Sequence, residues 1–198
     1  MSDTDGALKE LSAVHAKYNL PGRFLASSDL SVRWPAELPR SADLDVFYND
    51  YEPDGVKIET GLTPLKLFDM VALKKAQIGY RWINTTNGAA LSDEWPAQDL
   101  VIMDDIGGGK PVIAVTNIEK TPVLASYDAV KPFQIAESLA DFILALSRLI
   151  DIVYGEFNIF DVSDDDGISD AFIARLNAEI GPILGEDNRS RFMDYFYG

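Results

Sequence analysis

Apolar positions follow two rhythms along this chain: steps of three and four, and short unbroken runs between turns. Ala7, Leu8, Leu11, Val14 and Tyr18 recur at helical spacing, which predicts an amphipathic helix over about 5–19, ended by Pro21-Gly22. Leu44, Phe47, Tyr48 and Tyr51 predict another from Ser41, stopped near Pro53. Leu65, Phe68, Val71, Ala72 and Ile78 predict a buried helical face, with Thr63 as N-cap, Pro64 at the first helical position and Gly79 as its end. The longest stripe is Ile135, Leu139, Phe142, Ile143, Leu146, Leu149, Ile150 and Val153. It predicts a helix over 134–154, stopped at Gly155 and broad enough to cover a sheet. Ser169 reads as the N-cap of a shorter helix carrying Phe172, Ile173, Leu176 and Ile180, with Ile168 and Ile173 as its hydrophobic staple and Gly181-Pro182 as its break. Phe192, Tyr195 and Phe196 predict a last helical turn or two, docked by aromatics.

The unbroken runs lie at the centre of the chain. Leu100-Val101-Ile102-Met103, Pro111 to Val115 and Val123 to Tyr127 are rich in Val and Ile and are separated by glycine-rich or polar turns. They predict an antiparallel meander at about 100–104, 111–116 and 122–127. Val56-Lys57-Ile58, after the Asp54-Gly55 turn, predicts a short strand, and Phe24-Leu25 and Val32 are candidate extended pieces in the otherwise unassigned 23–37. An Asn- and Thr-rich loop follows Tyr80 to Ile83 and runs through Gly88. Trp34-Pro35-Ala36-Glu37 echoes Trp95-Pro96-Ala97-Gln98, an echo too short to define a repeat.

The triple glycine 107–109 before Lys110 has the look of a phosphate loop, but its spacing is wrong. With Gly109-Lys110 as the Gly-Lys pair, Asp104 stands where the first glycine is needed and Pro111 where the magnesium-binding hydroxyl belongs. A hairpin turn is the expectation. The acidic link Asp161 to Asp166 is likewise not a calcium loop. Counting Gly167 as the sixth position puts Val162 first and Ile173 twelfth, where carboxylates are required.

Composition narrows the function classes. The chain has 198 residues, 47% hydrophobic, with no cysteine and one histidine, His15. Disulfides, thiol nucleophiles and cysteine metal sites are excluded, and His15 reads as a packing residue. No cofactor or metal is expected. Met1 to Gly6 is acidic and has no apolar core, and no apolar run reaches bilayer length, so a soluble, cytoplasmic protein is expected. A formal charge of −15 argues against nucleic acid and anionic membranes as partners. It suits a basic protein partner, and it equally suits solubility alone.

Three segments together resemble the SUKH superfamily, the group of fungal cell-wall-synthesis regulators and bacterial immunity proteins. They are Leu65 to Trp82, ending in Gln77-Ile78-Gly79-Tyr80-Arg81-Trp82; Asp99 to Gly109, like the family's strand and glycine turn; and Ile135 to Ile143, like its closing helix. Leu38-Pro39 before the Leu44–Phe47 helix fits as well, whereas Asn49-Asp50-Tyr51-Glu52-Pro53 replaces the family's usual Asn-Gly turn. The resemblance is clearest over 38–150. It implies an α+β domain over 1–155 with a mainly antiparallel sheet, and 156–198 is then a C-terminal helical extension docked on it.

The function it implies is non-enzymatic protein binding, foremost the neutralisation of a cognate toxin, often a basic nuclease or deaminase. A housekeeping regulatory or scaffold module of the same fold is the alternative. An enzyme is least favoured: His15 would have to serve any Ser-His-Asp triad, no Gly-x-Ser-x-Gly elbow exists, and a carboxylate pair such as Asp104 with a loop Asp is common by chance in an acidic chain. The candidate partner-binding residues are two acidic clusters, Asp93, Glu94, Asp104 and Asp105 beside the meander turn, and Asp164, Asp165 and Asp166 on the link.

Overall fold

A computed structural model describes residues 3–26, 33–85, 88–127, 131–164 and 167–198. Val32, Asp165 and Asp166 lie outside these residues. The fold is α+β and is built on a six-stranded antiparallel sheet.

The predicted meander forms its middle: β7 (Asp99–Asp105), β8 (Val112–Val115) and β9 (Val123–Ala125). Before it in the chain, α1 spans Asp3–Lys17, β1 Arg23–Leu25, α2 Ala42–Asp50, β2 Glu52–Asp54, β3 Lys57–Ile58, β4 Leu65–Leu67, α3 Met70–Ala76, β5 Trp82–Thr85 and β6 Gly88–Leu91. After it come β10 (Phe133–Ala136), α4 (Leu139–Gly155), β11 (Ser163–Asp164), β12 (Gly167–Ile168) and α5 (Asp170–Tyr197). The sheet order is β10-β9-β8-β7-β4-β3, each neighbour antiparallel. From Asp99 to Asp104 in β7, and throughout β8, every residue is buried. Both faces of the central strands are therefore covered, which is why they read as unbroken apolar runs rather than as alternation.

Several boundaries differ from the sequence expectation. Leu65-Lys66-Leu67 is strand β4, paired Leu65 to Asp105 and Leu67 to Met103. Its helix starts only at Met70, where the Asp69 carboxylate accepts the Ala72 N–H at 2.6 Å. Thr63 is thus not an N-cap; its hydroxyl instead accepts from Lys110 Nζ at 3.2 Å. Ile135 belongs to β10, and α4 begins after Ser138, whose hydroxyl accepts the Asp141 N–H at 2.9 Å. Ser169 stands at the N-cap position of α5 but makes no side-chain capping bond. Helical backbone continues through Gly181-Pro182, and the break falls at Gly185, whose φ of 73° is open to glycine without strain. Trp82–Thr85 and Gly88–Leu91 pair as a hairpin, so Asn84, Thr85 and Gly88, expected as loop, belong to strands.

α4 lies over the sheet, with Phe142, Ile143, Leu146, Leu149 and Ile150 all inaccessible. α1 packs along it, tied by Lys17 to Asp151 at 2.6 Å and Arg148 to Glu10 at 2.8 Å. α5 packs on α4 and β10, and Phe172, Leu176, Ile180, Phe192, Tyr195 and Phe196 join the same hydrophobic cluster as Leu8, Leu11 and Leu100. Arg191 Nη1 donates to the Gln134 carbonyl at 3.1 Å, so α5 also covers the β10 edge, while the opposite edge, β3, is two residues long. Covered or very short edges limit pairing with other chains.

Candidate functional site

The predicted acidic cluster beside the meander turn is organised by Asp104. One carboxylate oxygen, Oδ1, accepts the N–H groups of Asp105 at 2.9 Å and Lys110 at 3.0 Å, and the other accepts the Tyr80 hydroxyl at 3.0 Å. Asp105 accepts the Gly107 N–H at 3.2 Å and the Lys110 N–H at 3.3 Å. Gly108 and Gly109 take φ of 81° and 112°, so glycine is required for the chain to wrap these carboxylates. Asp104 is 5% exposed, and burial, only partly offset by its hydrogen bonds, pushes its carboxyl above the usual range.

This placement splits the cluster. Asp104 is largely buried, and its carboxylate accepts three hydrogen bonds from the turn and from Tyr80, so little of it is presented to solvent. Asp105 is half-buried, whereas Asp93 and Glu94 are exposed on the link between β6 and β7. Trp95, next to Glu94, lies 5.6 Å from the Tyr80 ring, and the Tyr80 hydroxyl reaches Asp104. That chain of contacts draws the 93–95 link toward the glycine turn. The turn is braced from behind by α5: the Tyr195 hydroxyl donates to the Lys110 carbonyl at 2.6 Å. Of the second cluster, Asp164 pairs in a small β11–β12 hairpin with Gly167. Asp165 and Asp166 lie outside the described residues.

Three residues missed by sequence reasoning hold this region together. Gln77 is fully buried, and its amide bonds both the N–H and the C=O of Val101, at 3.0 and 2.8 Å. β4 ends opposite Met103, so Gln77 supplies the ladder bonds that the missing strand would have made. Arg81 joins the two echoed tryptophan segments. In each, the indole donates to the carbonyl four residues on, Trp34 to Leu38 at 3.1 Å and Trp95 to Asp99 at 2.9 Å. The Arg81 guanidinium donates to Ala97 O at 2.7 Å and Glu37 O at 3.3 Å, clamping both turns. Asp99, 4% exposed at the head of β7, has its carboxyl pushed up to about 6 by burial. The Trp-Pro-Ala echo was the one available signal for this clamp; nothing local marks Gln77 or Asp99.

Lone His15 is buried, with its ring Nε2 3.1 Å from the Pro21 carbonyl and its edge on Phe24, and burial holds its pKa below the ordinary value. Among the described residues no group of three or more His, Asp or Glu is placed to hold a metal, and no helix is long and apolar enough to cross a membrane. Comparison of the chain with protein-family models, with curated proteins and with solved structures returned no match.

Proposed function

We propose that the chain is a non-enzymatic protein-binding domain of SUKH type that neutralises a cognate, basic toxin. The observation that carries this reading is the use made of the meander turn. Its buried carboxylate is spent on rigidifying a glycine hairpin, with Tyr80 on one side and Tyr195 on the other, and not on a reacting group. Beside this rigid turn stand Asp93 and Glu94, exposed, with Asp105 half-exposed, in a chain of net charge −15. A preorganised surface of one sign favours rapid capture of a partner of the other sign.

The test is association kinetics with the product of the adjacent gene, by surface plasmon resonance at low and high salt. Steering by Asp93, Glu94 and Asp105 predicts an association rate that falls with salt. Replacing Asp93 and Glu94 together by Lys should slow association several-fold at low salt and leave dissociation nearly unchanged. No binding, or an association rate indifferent to salt and to the replacement, would overturn the proposal.

A further inference from the structure

α3 buries one face through Met70, Leu73 and Gln77, which step by three and four. The opposite stripe is Val71, Lys74, Lys75 and Ile78, and it too is apolar at its ends. Val71, on this seven-residue helix, is 87% exposed and Ile78, two residues past its end, is 50% exposed, where sequence periodicity expected both to be buried. Leu91, 61% exposed on β6, and the half-buried Trp82 on β5 complete the walls of an open groove of about 630 Å³. A tight return fixes its shape: Trp82 N–H donates to the Gln77 carbonyl at 3.1 Å and Gly79 N–H to the Trp82 carbonyl at 2.7 Å. Exposed large side chains clustered in one concave site are a mark of an interaction surface.

The rim of this groove carries the opposite sign from the rest of the molecule. Lys74, Lys75 and Arg81 line it against a single carboxylate, Glu37, which pairs with Lys74. The Arg81 guanidinium donates to two carbonyls while its buried Nε has no hydrogen-bond partner, and no ion pair is found for Arg81 or Lys75, among the described residues. A chain of net charge −15 thus concentrates unmatched cations around its exposed apolar side chains.

We infer that this groove docks an apolar segment flanked by carboxylates, contributed by a partner protein. Two other occupants fit the charges worse. A symmetric dimer through this face would set Lys75 and Arg81 against their own copies, since an isologous contact pairs a patch with itself. An anionic membrane would meet the repulsion of the whole acidic molecule, and a concave site offers it no protruding apolar wedge. This docking site does not rest on the toxin-neutralising reading, because it lies on α3 and the β5–β6 hairpin and uses cations, not the acidic turn.

The probe is a pair of synthetic amphipathic 15-residue peptides with the same leucine stripe, one flanked by glutamates and one by lysines. Each is titrated into the full-length isotope-labelled protein and followed by amide chemical shifts. The glutamate peptide should saturate and shift Val71, Lys75, Ile78 and Leu91, while the lysine peptide should bind at least tenfold more weakly. Lys75→Glu should weaken the glutamate peptide about tenfold, and Val71→Glu, at a solvent-exposed position that the fold tolerates, should abolish its binding. Asp93→Lys with Glu94→Lys should not weaken it, whereas the same replacement slows association in the toxin test, which separates the two results. Equal affinity for both peptides, shifts that map elsewhere, failure to saturate, concentration-dependent dimerisation through Val71, or retention on phosphatidylserine vesicles would each overturn the inference.

Discussion

Asp99 shows how a single buried carboxyl can oppose the fold that contains it. Its pKa is pushed up to about 6 by burial, above the ordinary value of 3.8. The folded state therefore favours the protonated form, and between pH 4 and 6 it binds more protons than the unfolded chain. Stability contributed by this group is highest below pH 4 and is lost as pH rises through 6. About two pH units at 1.36 kcal/mol each set an upper bound of about 3 kcal/mol. Asp99→Asn should therefore stabilise the protein by up to about 3 kcal/mol at pH 7 and by almost nothing at pH 4, measured by urea unfolding at both. An equal effect at the two pH values would show that the carboxyl is ionised freely in the fold. His15 acts with the opposite sign: its depressed pKa removes stability as pH falls below about 6.5, so only the variant-minus-native difference isolates Asp99.

At the scale of the element, the β7–β8 turn resembles a phosphate loop in composition and inverts its chemistry. A phosphate loop presents free backbone N–H groups to an anion. Here the N–H groups of Asp105, Gly107 and Lys110 are already taken by the carboxylates of Asp104 and Asp105. Lys110 Nζ reaches Thr63 and lies 6.0 Å from the Tyr195 ring, drawn away from the glycines. Equilibrium dialysis with labelled ATP and GTP at millimolar magnesium should show no saturable binding. Micromolar binding abolished by Lys110→Ala would require a turn that opens and releases its carboxylates.

For the whole molecule, the decisive feature is that the C-terminal helical segments share one core with the sheet. Phe192 lies 6.3 Å from Phe142 in an edge-to-face pair, and the Tyr197 hydroxyl donates to the Thr60 carbonyl at 2.8 Å. All tryptophans, Trp34, Trp82 and Trp95, precede residue 96, so indole fluorescence reports the N-terminal part while far-ultraviolet dichroism includes α5. One core predicts one cooperative transition, with the two signals coincident in urea. Phe192→Ala should lower stability by about 3–5 kcal/mol and move both signals together. A dichroism loss that precedes the fluorescence change would mean that 170–198 unfolds as a separate unit.

The meander, the α4 stripe and the hairpin at the glycine turn were all legible in the sequence, because each rests on local chemistry. Buried central strands need continuous apolar runs, helix-covering faces need a 3.6-residue period, and a tight turn at positive φ needs glycine. Tertiary structure decided the rest. Leu65 and Phe68 suit a helix as well as Leu65 and Leu67 suit a strand, and only the free edge of β7 settled the matter for 65–67. Ile135 is in helical step with Leu139, but the edge of β9 captured it as β10. Val71 and Ile78 follow a core period yet stand in solvent, since a short helix has one buried face and Met70, Leu73 and Gln77 occupy it. Asp104 reads as surface charge in any local window, and its burial follows from Tyr80, 24 residues earlier, and the turn that closes over it. Periodicity states which side chains can share a face, whereas the competition among faces for a limited core is resolved only when the whole chain is packed.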